Sequence, residues 1–326
     1  MNAPADPNRA ARSASPSAQW RGGAIEAYLL LCFGMACWGA NSVAGRMAIG
    51  QVSPMVITCF RWAAVSAFLA VTTGREMKVA WPELRPHLVK LILMAAGGFA
   101  VFNALFYYAA HHTTAVNMSI LQGSIPIYVV IGAAFLHRAP IRLLQVAGIV
   151  ATLLGVFVVA TGGHLLTLAD FTLNMGDALI LVACLLYAGY TLALRNRPKV
   201  PRIVLFAALA FLAFLLSLPL LAYEVAAGDA QWPTLEGWLI LAFIILFPSF
   251  LSQLAYMRGV ELIGPGRASL FTNLVPIFGA LFGVVLLDEP FGLFHLVALL
   301  LVVVGILVAE LGGRIGERPV PPDSAE

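Results

Sequence analysis

The strongest constraint on this chain is the recurrence of apolar runs, each close to twenty residues long. Ten of them can be counted, at approximately 26–47, 54–73, 88–109, 114–135, 143–162, 176–194, 203–225, 237–257, 266–287 and 292–311. A hydrocarbon core about 30 Å thick is crossed by about 20 helical residues, and inside it an open chain can satisfy its backbone polar groups only as helix. The runs therefore predict an all-α integral membrane protein of about ten transmembrane helices. Composition agrees: 61% of residues are hydrophobic and 11% charged, against the roughly 25% charged residues of a soluble domain. A lipid bilayer is thus the expected partner of most of the surface.

Charge locates the two faces. Of 19 Lys and Arg residues, all but Arg46 and Arg61 fall on one side of such a bundle, from Arg9 to Arg318. Arg46 falls on the other side, where Asp170, Glu224, Asp229, Asp288 and Glu289 gather, and Arg61 lies within the second span. Cytoplasmic loops retain basic residues, so both termini are expected in the cytoplasm, and the plasma (inner) membrane of a bacterium is the expected location. A miscount of one span would scramble this segregation. Residues 1–24, rich in Ala, Pro, Ser and Arg, are expected to form a disordered cytoplasmic tail. No cleavage site is evident after them, so the first span is expected to remain in the mature protein.

A shift of 150 residues aligns the chain with itself. Ser119 falls on Ser269, Pro126 on Pro276, Pro140 on Pro290, Gly155 on Gly305 and Asn103 on Gln253, and SILQGSIPIYV at 119–129 meets SLFTNLVPIFG at 269–279. The expected organisation is a first repeat over 25–162, an external linker over 163–175, a second repeat over 176–311 and a cytoplasmic tail over 312–326. Five spans per repeat is an odd number, so the second copy enters the membrane inverted. Two inverted five-helix repeats are an architecture of secondary transporters, in which exchange of conformation between halves opens a central site to alternate sides.

The chain resembles the EamA family of the drug/metabolite transporter superfamily over nearly all of 26–311. CWGANSVAGR at 37–46, SPMVITCFR at 53–61, the Pro126 and Pro276 helices and VVLLDEPFGLFH at 284–295 carry the resemblance. It implies ten helices, transport of amino acids or related metabolites, often outward, and no ATPase. The first copy departs from the family pattern by placing Ala139 opposite Glu289.

Ionisable groups inside a membrane are costly and mark function by default, and Arg61 is the clear instance. It reads either as a clamp for a solute carboxylate, which a planar guanidinium fork fits, or as an arginine bonded to carbonyls or snorkelling to the interface. Ser119 and Gln122 before Pro126, with Thr272 and Asn273 before Pro276, form a second candidate set. Proline frees a carbonyl and bends its helix, so Pro126 and Pro276 are candidate kinks for gating; the polar residues serve either a solute or the packing of helices. A third set comprises Trp38, Asn41, Asn103, Tyr107, Tyr187, Tyr190, Gln253 and Tyr256, which line a cavity or anchor the core and interfaces.

His111 and His112 read as wet loop residues, and Asp288 and Glu289 as the start of the tenth helix with Pro290. The stripe Gly148, Ala151 and Gly155 permits close helix contact within a protomer or between two copies, so a homodimer stays open. Cys32, Cys37, Cys59 and Cys184 lie in apolar runs without metal or disulfide spacing and are read as packing residues. No nucleotide-binding loop, HExxH or GxSxG occurs, and no basic run interleaved with aromatics. Neither a catalytic residue, a metal, a cofactor nor a nucleic-acid partner is expected. The expected function is a secondary transporter, in the exporting direction, of a small-molecule solute such as an amino acid. The competing classes are a membrane-embedded enzyme and a non-transporting membrane assembly factor.

Overall fold

With no water to satisfy the backbone, an apolar run must hydrogen-bond to itself, and every described element of the computed structural model is helical. The structure describes residues 16–137, 142–161, 163, 174–263 and 268–314. Residues 1–15 of the expected tail, 164–173 of the expected linker and 315–326 lie outside them, as do Arg138, Ala139, Pro140, Asp170 and Arg267. The helices are α1 (Pro16–Met47), α2 (Pro54–Leu84), α3 (88–109), α4 (115–137), α5 (Leu143–Ala160), α6 (Met175–Ala193), α7 (Arg202–Ala227), α8 (Leu235–Ile263), α9 (269–287) and α10 (Leu293–Arg314). Residues 16–24, expected to be disordered, are helical: Pro16, the first residue of α1, presets its own backbone for a helix start.

Six helical runs among the described residues are long and apolar enough to cross a membrane, and Leu143–Val159, Phe271–Leu287 and Leu293–Ala309 are shorter apolar helices. One of the six, Pro54–Ala109, reverses direction at the 3₁₀ turn Arg85–His87. As a straight helix it would hold Arg61 and Tyr107 about 69 Å apart, whereas their side chains are hydrogen-bonded at 2.6 Å. Local chemistry sets the helix ends. The side chains of Thr114, Asn174 and Thr234 accept hydrogen bonds from the first-turn amides of Asn117, Gly176 and Gly237. Gly228 ends α7 at φ 78°, where a side chain would be strained.

The duplication is visible in three dimensions. Both α3 and α8 contain a π-helical turn, Ala96–Ala100 and Ile245–Leu251, and the shift of 150 residues superimposes them. The packing is closed under exchange of the halves: α1 lies against α8 and α9 as α6 lies against α3 and α4, while α2 pairs with its counterpart α7, α4 with α9 and α5 with α10. Such self-mated contacts are the mark of a two-fold relation. Outward faces are apolar, with Val71, Leu93, Leu143 and Val285 mostly exposed, as a lipid-facing surface requires.

Small residues set the closest crossings. A Cβ on Gly155 would stand 2.8 Å from the carbonyl oxygen of Ala298 in α10, and one on Gly148 would strike Gly305 and Ala309. The stripe on α5 therefore packs within the chain. Where α1 crosses α9, a Cβ on Gly39 would stand 2.7 Å from the backbone nitrogen of Gly279. Backbone cannot swing aside as a side chain can. Gly39→Ala should therefore cost about 1–3 kcal/mol through overpacking, read as a lower thermal unfolding midpoint in detergent. Gly189→Ala, on a helix position with nothing within 4 Å, should hold or raise that midpoint; equal effects would dismiss the close crossing as a constraint.

Candidate functional site

Between the two halves lies a cavity of about 510 Å³, lined from α1, α2, α3, α4, α6, α7, α8, α9 and α10. Its size falls within the roughly 300–1,000 Å³ of small-molecule sites. At the α1, α2 and α3 ends that carry Arg46, Ser53 and Ala109, no lining residue comes nearer than six residues to the helix end, about 9 Å of helix. At the opposite, basic end the lining reaches Val130, Leu194, Phe206 and Ala309. The cavity thus extends toward the end that gathers Arg75, Lys78, Arg85, Lys199 and Arg202.

Arg61 is its charged element. Although 7% exposed, it has no carboxylate partner among the described residues. Its Nη1 donates to Asn103 Oδ1 at 2.9 Å and to the Tyr107 hydroxyl oxygen at 2.6 Å, and that hydroxyl donates to Asn41 Oδ1 at 2.9 Å. Asn103 Nδ2 in turn donates to the Phe99 carbonyl at 2.5 Å, across the π turn of α3. Neutral acceptors orient the guanidinium without cancelling its charge. Its Nε has no hydrogen-bond partner, so the fork is only half used.

Aromatic rings form the rest of the wall. Trp38 lies tilted against Tyr256 with centroids 5.5 Å apart, and its Nε1 donates to the Pro248 carbonyl at 3.0 Å. Tyr187 meets Tyr190 at 5.3 Å and Phe102 at 5.2 Å, and Tyr190 meets Phe99 at 5.2 Å. Tyr190 covers Gly98, where a Cβ would stand 2.5 Å from the ring. Gln122, Gln253, Thr272, Asn273, Pro126 and Pro276 also line the cavity. Gln122 bridges as well, its Nε2 donating to Ser42 Oγ at 3.3 Å and the Met118 carbonyl at 3.2 Å.

Two residues expected at the site stand behind it. Tyr107, 1% exposed, supports Arg61 from outside the lining. Ser119 is fully buried, donates to the Ala115 carbonyl at 2.7 Å and packs against Gly279 where α4 meets α9. In the other direction, Trp62, Gly98, Phe99, Phe102, Pro248 and Ser249 line the cavity without having been expected there. A signal was available: the offset that pairs Asn103 with Gln253 also pairs Gly98 with Pro248, in the two π turns.

The end with no lining is tied shut by polar contacts. Glu289 does not begin α10, which starts at Leu293; Asp288 takes a left-handed conformation, φ 51°, that ends α9. The Glu289 carboxylate instead accepts from the first amides of α4, Ala115 N and Val116 N, both at 2.9 Å, and lies 3.6 Å from Arg46 Nε. Arg46 Nη1 donates to the Ala110 carbonyl at 2.6 Å. Glu224 of α7 accepts from Ser53 Oγ at 2.6 Å and Met55 N at 3.2 Å at the start of α2. Gln51 pairs with Thr234, and Gln231 with Gly50. His111 and His112 are exposed beside this end.

Comparison with known proteins adds a family. The model of the EamA-like transporter family matches residues 25–161 and again 174–311. Similar proteins include the uncharacterized transporter YyaM of Bacillus subtilis, 24% identical over 92% of this chain and 99% of that protein. The uncharacterized inner membrane transporter YedA of Escherichia coli K12 is 23% identical over 84% and 87%. A solved structure described as "Crystal structure of protein" shares the fold, with a TM-score of 0.61 at 20% identity over 90% of this chain and 99% of that one.

Proposed function

Because this chain belongs to the EamA-like transporter family, we propose that it is a secondary transporter exporting a small organic metabolite that carries a carboxylate, by alternating access between inverted repeats. The observation that carries this reading is Arg61: a buried cation with neutral partners and an unused donor, on the wall of a cavity between two packed halves. A guanidinium in that state is a standing site for an anion. The aromatic wall suits an amphipathic body, and amino acids and organic acids both meet these terms.

In this reading the chain crosses the bacterial inner membrane ten times, with both termini cytoplasmic, and the cavity extends toward the cytoplasm while the latched end faces out. Solute binding from the cytoplasm supports export; solute gradients set net flux. Among the described residues no Asp, Glu, His, Lys or Cys lines the cavity. That supports exchange or facilitated export over an acid relay, and a carrier over an enzyme, which would gather such groups.

The test is counterflow in vesicles holding the purified protein, loaded with amino acids, organic acids, amines or nucleosides. Saturable exchange of a carboxylate class is the expected result. Folded protein that exchanges nothing, and whose unfolding midpoint no member of the panel raises, would overturn the reading.

A further inference from the structure

We propose that the cavity selects organic anions whose second functional group accepts hydrogen bonds, such as an oxo group or second carboxylate, and rejects the ammonium group of the matching amino acid. This deepens the carrier reading and rests on it. Three residues of the lining are more than nine-tenths buried and each keeps a nitrogen without any hydrogen-bond partner: Arg61 Nε, Trp62 Nε1 and Asn273 Nδ2. All three atoms are donors, and guanidinium and indole have no accepting alternative. Arg61 and Trp62 act side by side, the guanidinium carbon standing 5.1 Å from the indole centre. Trp62 also packs edge-on against Phe99, ring centres 4.8 Å apart.

In this conformation the three nitrogens are covered as well as unpaired, and a buried donor left unpaired is destabilising, so the proposed site forms when the wall shifts around an entering solute whose acceptors then pair them. The acceptors beside Arg61 are neutral and each already takes one hydrogen bond, Asn103 Oδ1 from Arg61 and Asn41 Oδ1 from Tyr107. With no Asp or Glu in the described lining, an ammonium group would enter without a counter-charge, next to a fixed cation. Sites built to pair a polar group discriminate strongly against analogues that lack it. A carboxylate on Arg61 with a second acceptor on Trp62 or Asn273 satisfies the set; an ammonium group satisfies none of it.

The test uses four solutes of one branched skeleton as competitors of carboxylate counterflow in vesicles: ketoisocaproate, isocaproate, leucine and isoamylamine. Ketoisocaproate should compete roughly tenfold better than isocaproate, the gain of about one good hydrogen bond, with leucine weaker than either and isoamylamine inert. Trp62→Phe keeps an aromatic ring and removes the N–H, so it should weaken ketoisocaproate roughly tenfold more than isocaproate and collapse the preference for the oxo acid; a packing role would weaken both alike and preserve the preference. Asn273→Asp replaces a donor by a charged acceptor and should improve leucine at the expense of ketoisocaproate. Leucine or isoamylamine competing as well as ketoisocaproate would overturn the selectivity and leave the carrier standing. Absence of exchange for every solute would remove both.

Discussion

Arg61→Lys is expected to lower carboxylate exchange about a hundredfold, corresponding to about 2.8 kcal/mol, while the protein still folds and keeps its buried charge. In the proposed clamp the arginine does two things at once: Nη1 binds Asn103 and Tyr107, and the rest of the guanidinium is offered to the solute. A lysine ammonium has no second edge, so one of the two duties is lost. Losing a partner from a buried, hydrogen-bonded charge pair costs roughly 2–5 kcal/mol, which sets the scale. Arg61→Gln, without charge, should fall further. In both variants the loss should sit mainly in a raised KM for exchange.

A purely structural Arg61 makes a different prediction, and Tyr107→Phe separates the two. Tyr107 stands outside the cavity lining and links Arg61 to Asn41. Removing its hydroxyl breaks that link yet leaves the guanidinium and its free edge in place. The unfolding midpoint should drop, by the worth of about one buried hydrogen bond to a charged group, 1.5–3 kcal/mol, with exchange reduced only severalfold. If Tyr107→Phe silences exchange as fully as Arg61→Lys, the network matters and the clamp does not. Exchange by Arg61→Lys within twofold of the parent protein would dispose of the clamp outright.

Legibility from sequence follows the range of the forces concerned. Apolar runs report on solvent, and the described helices fall on the apolar runs in order, six helical stretches among them being long and apolar enough to cross a membrane. The duplication survives as Pro126 with Pro276 and Asn103 with Gln253, since a shared backbone irregularity needs similar residues in both copies. Side-chain direction is another matter. Ser119 sits one turn before Gln122 and was expected with it, but a close crossing against Gly279 claims the small hydroxyl for packing. Trp62 follows Arg61 by one residue, and a helix turns about 100° per residue, so facing the same cavity depends on how α2 leans on α3 and α7. Glu289 was expected to begin α10 and instead lies in the connection before it, with its carboxylate on the first amides of α4; which helix a carboxylate caps is a tertiary fact, set by a chain reversal after α9 that no local pattern announces.

Glu289→Gln should open the latched end, raising by about tenfold the rate at which a membrane-impermeant thiol reagent, added outside, labels a cysteine placed at Gln253. The background would carry alanine at Cys32, Cys37, Cys59 and Cys184. In the structure the Glu289 carboxylate holds two α4 amides and stands beside Arg46, joining the α9–α10 connection to the starts and ends of the first repeat. A charged acceptor on the amides of a helix N-terminus is favoured by both hydrogen bonding and the helix dipole; the amide of glutamine keeps one oxygen and no charge. A loss of about 1.4 kcal/mol moves a two-state equilibrium tenfold. Glu224→Gln should add to it, because it frees the start of α2 at the same end. The 150-residue offset supplies no matching carboxylates at the basic end: Gly74 stands opposite Glu224 and Ala139 opposite Glu289. Weakening the latch should therefore swing the balance toward the form that is open at the latched end. Labelling that stays at the parent rate in the double variant would mean that the carboxylates hold helix ends in both states and gate neither.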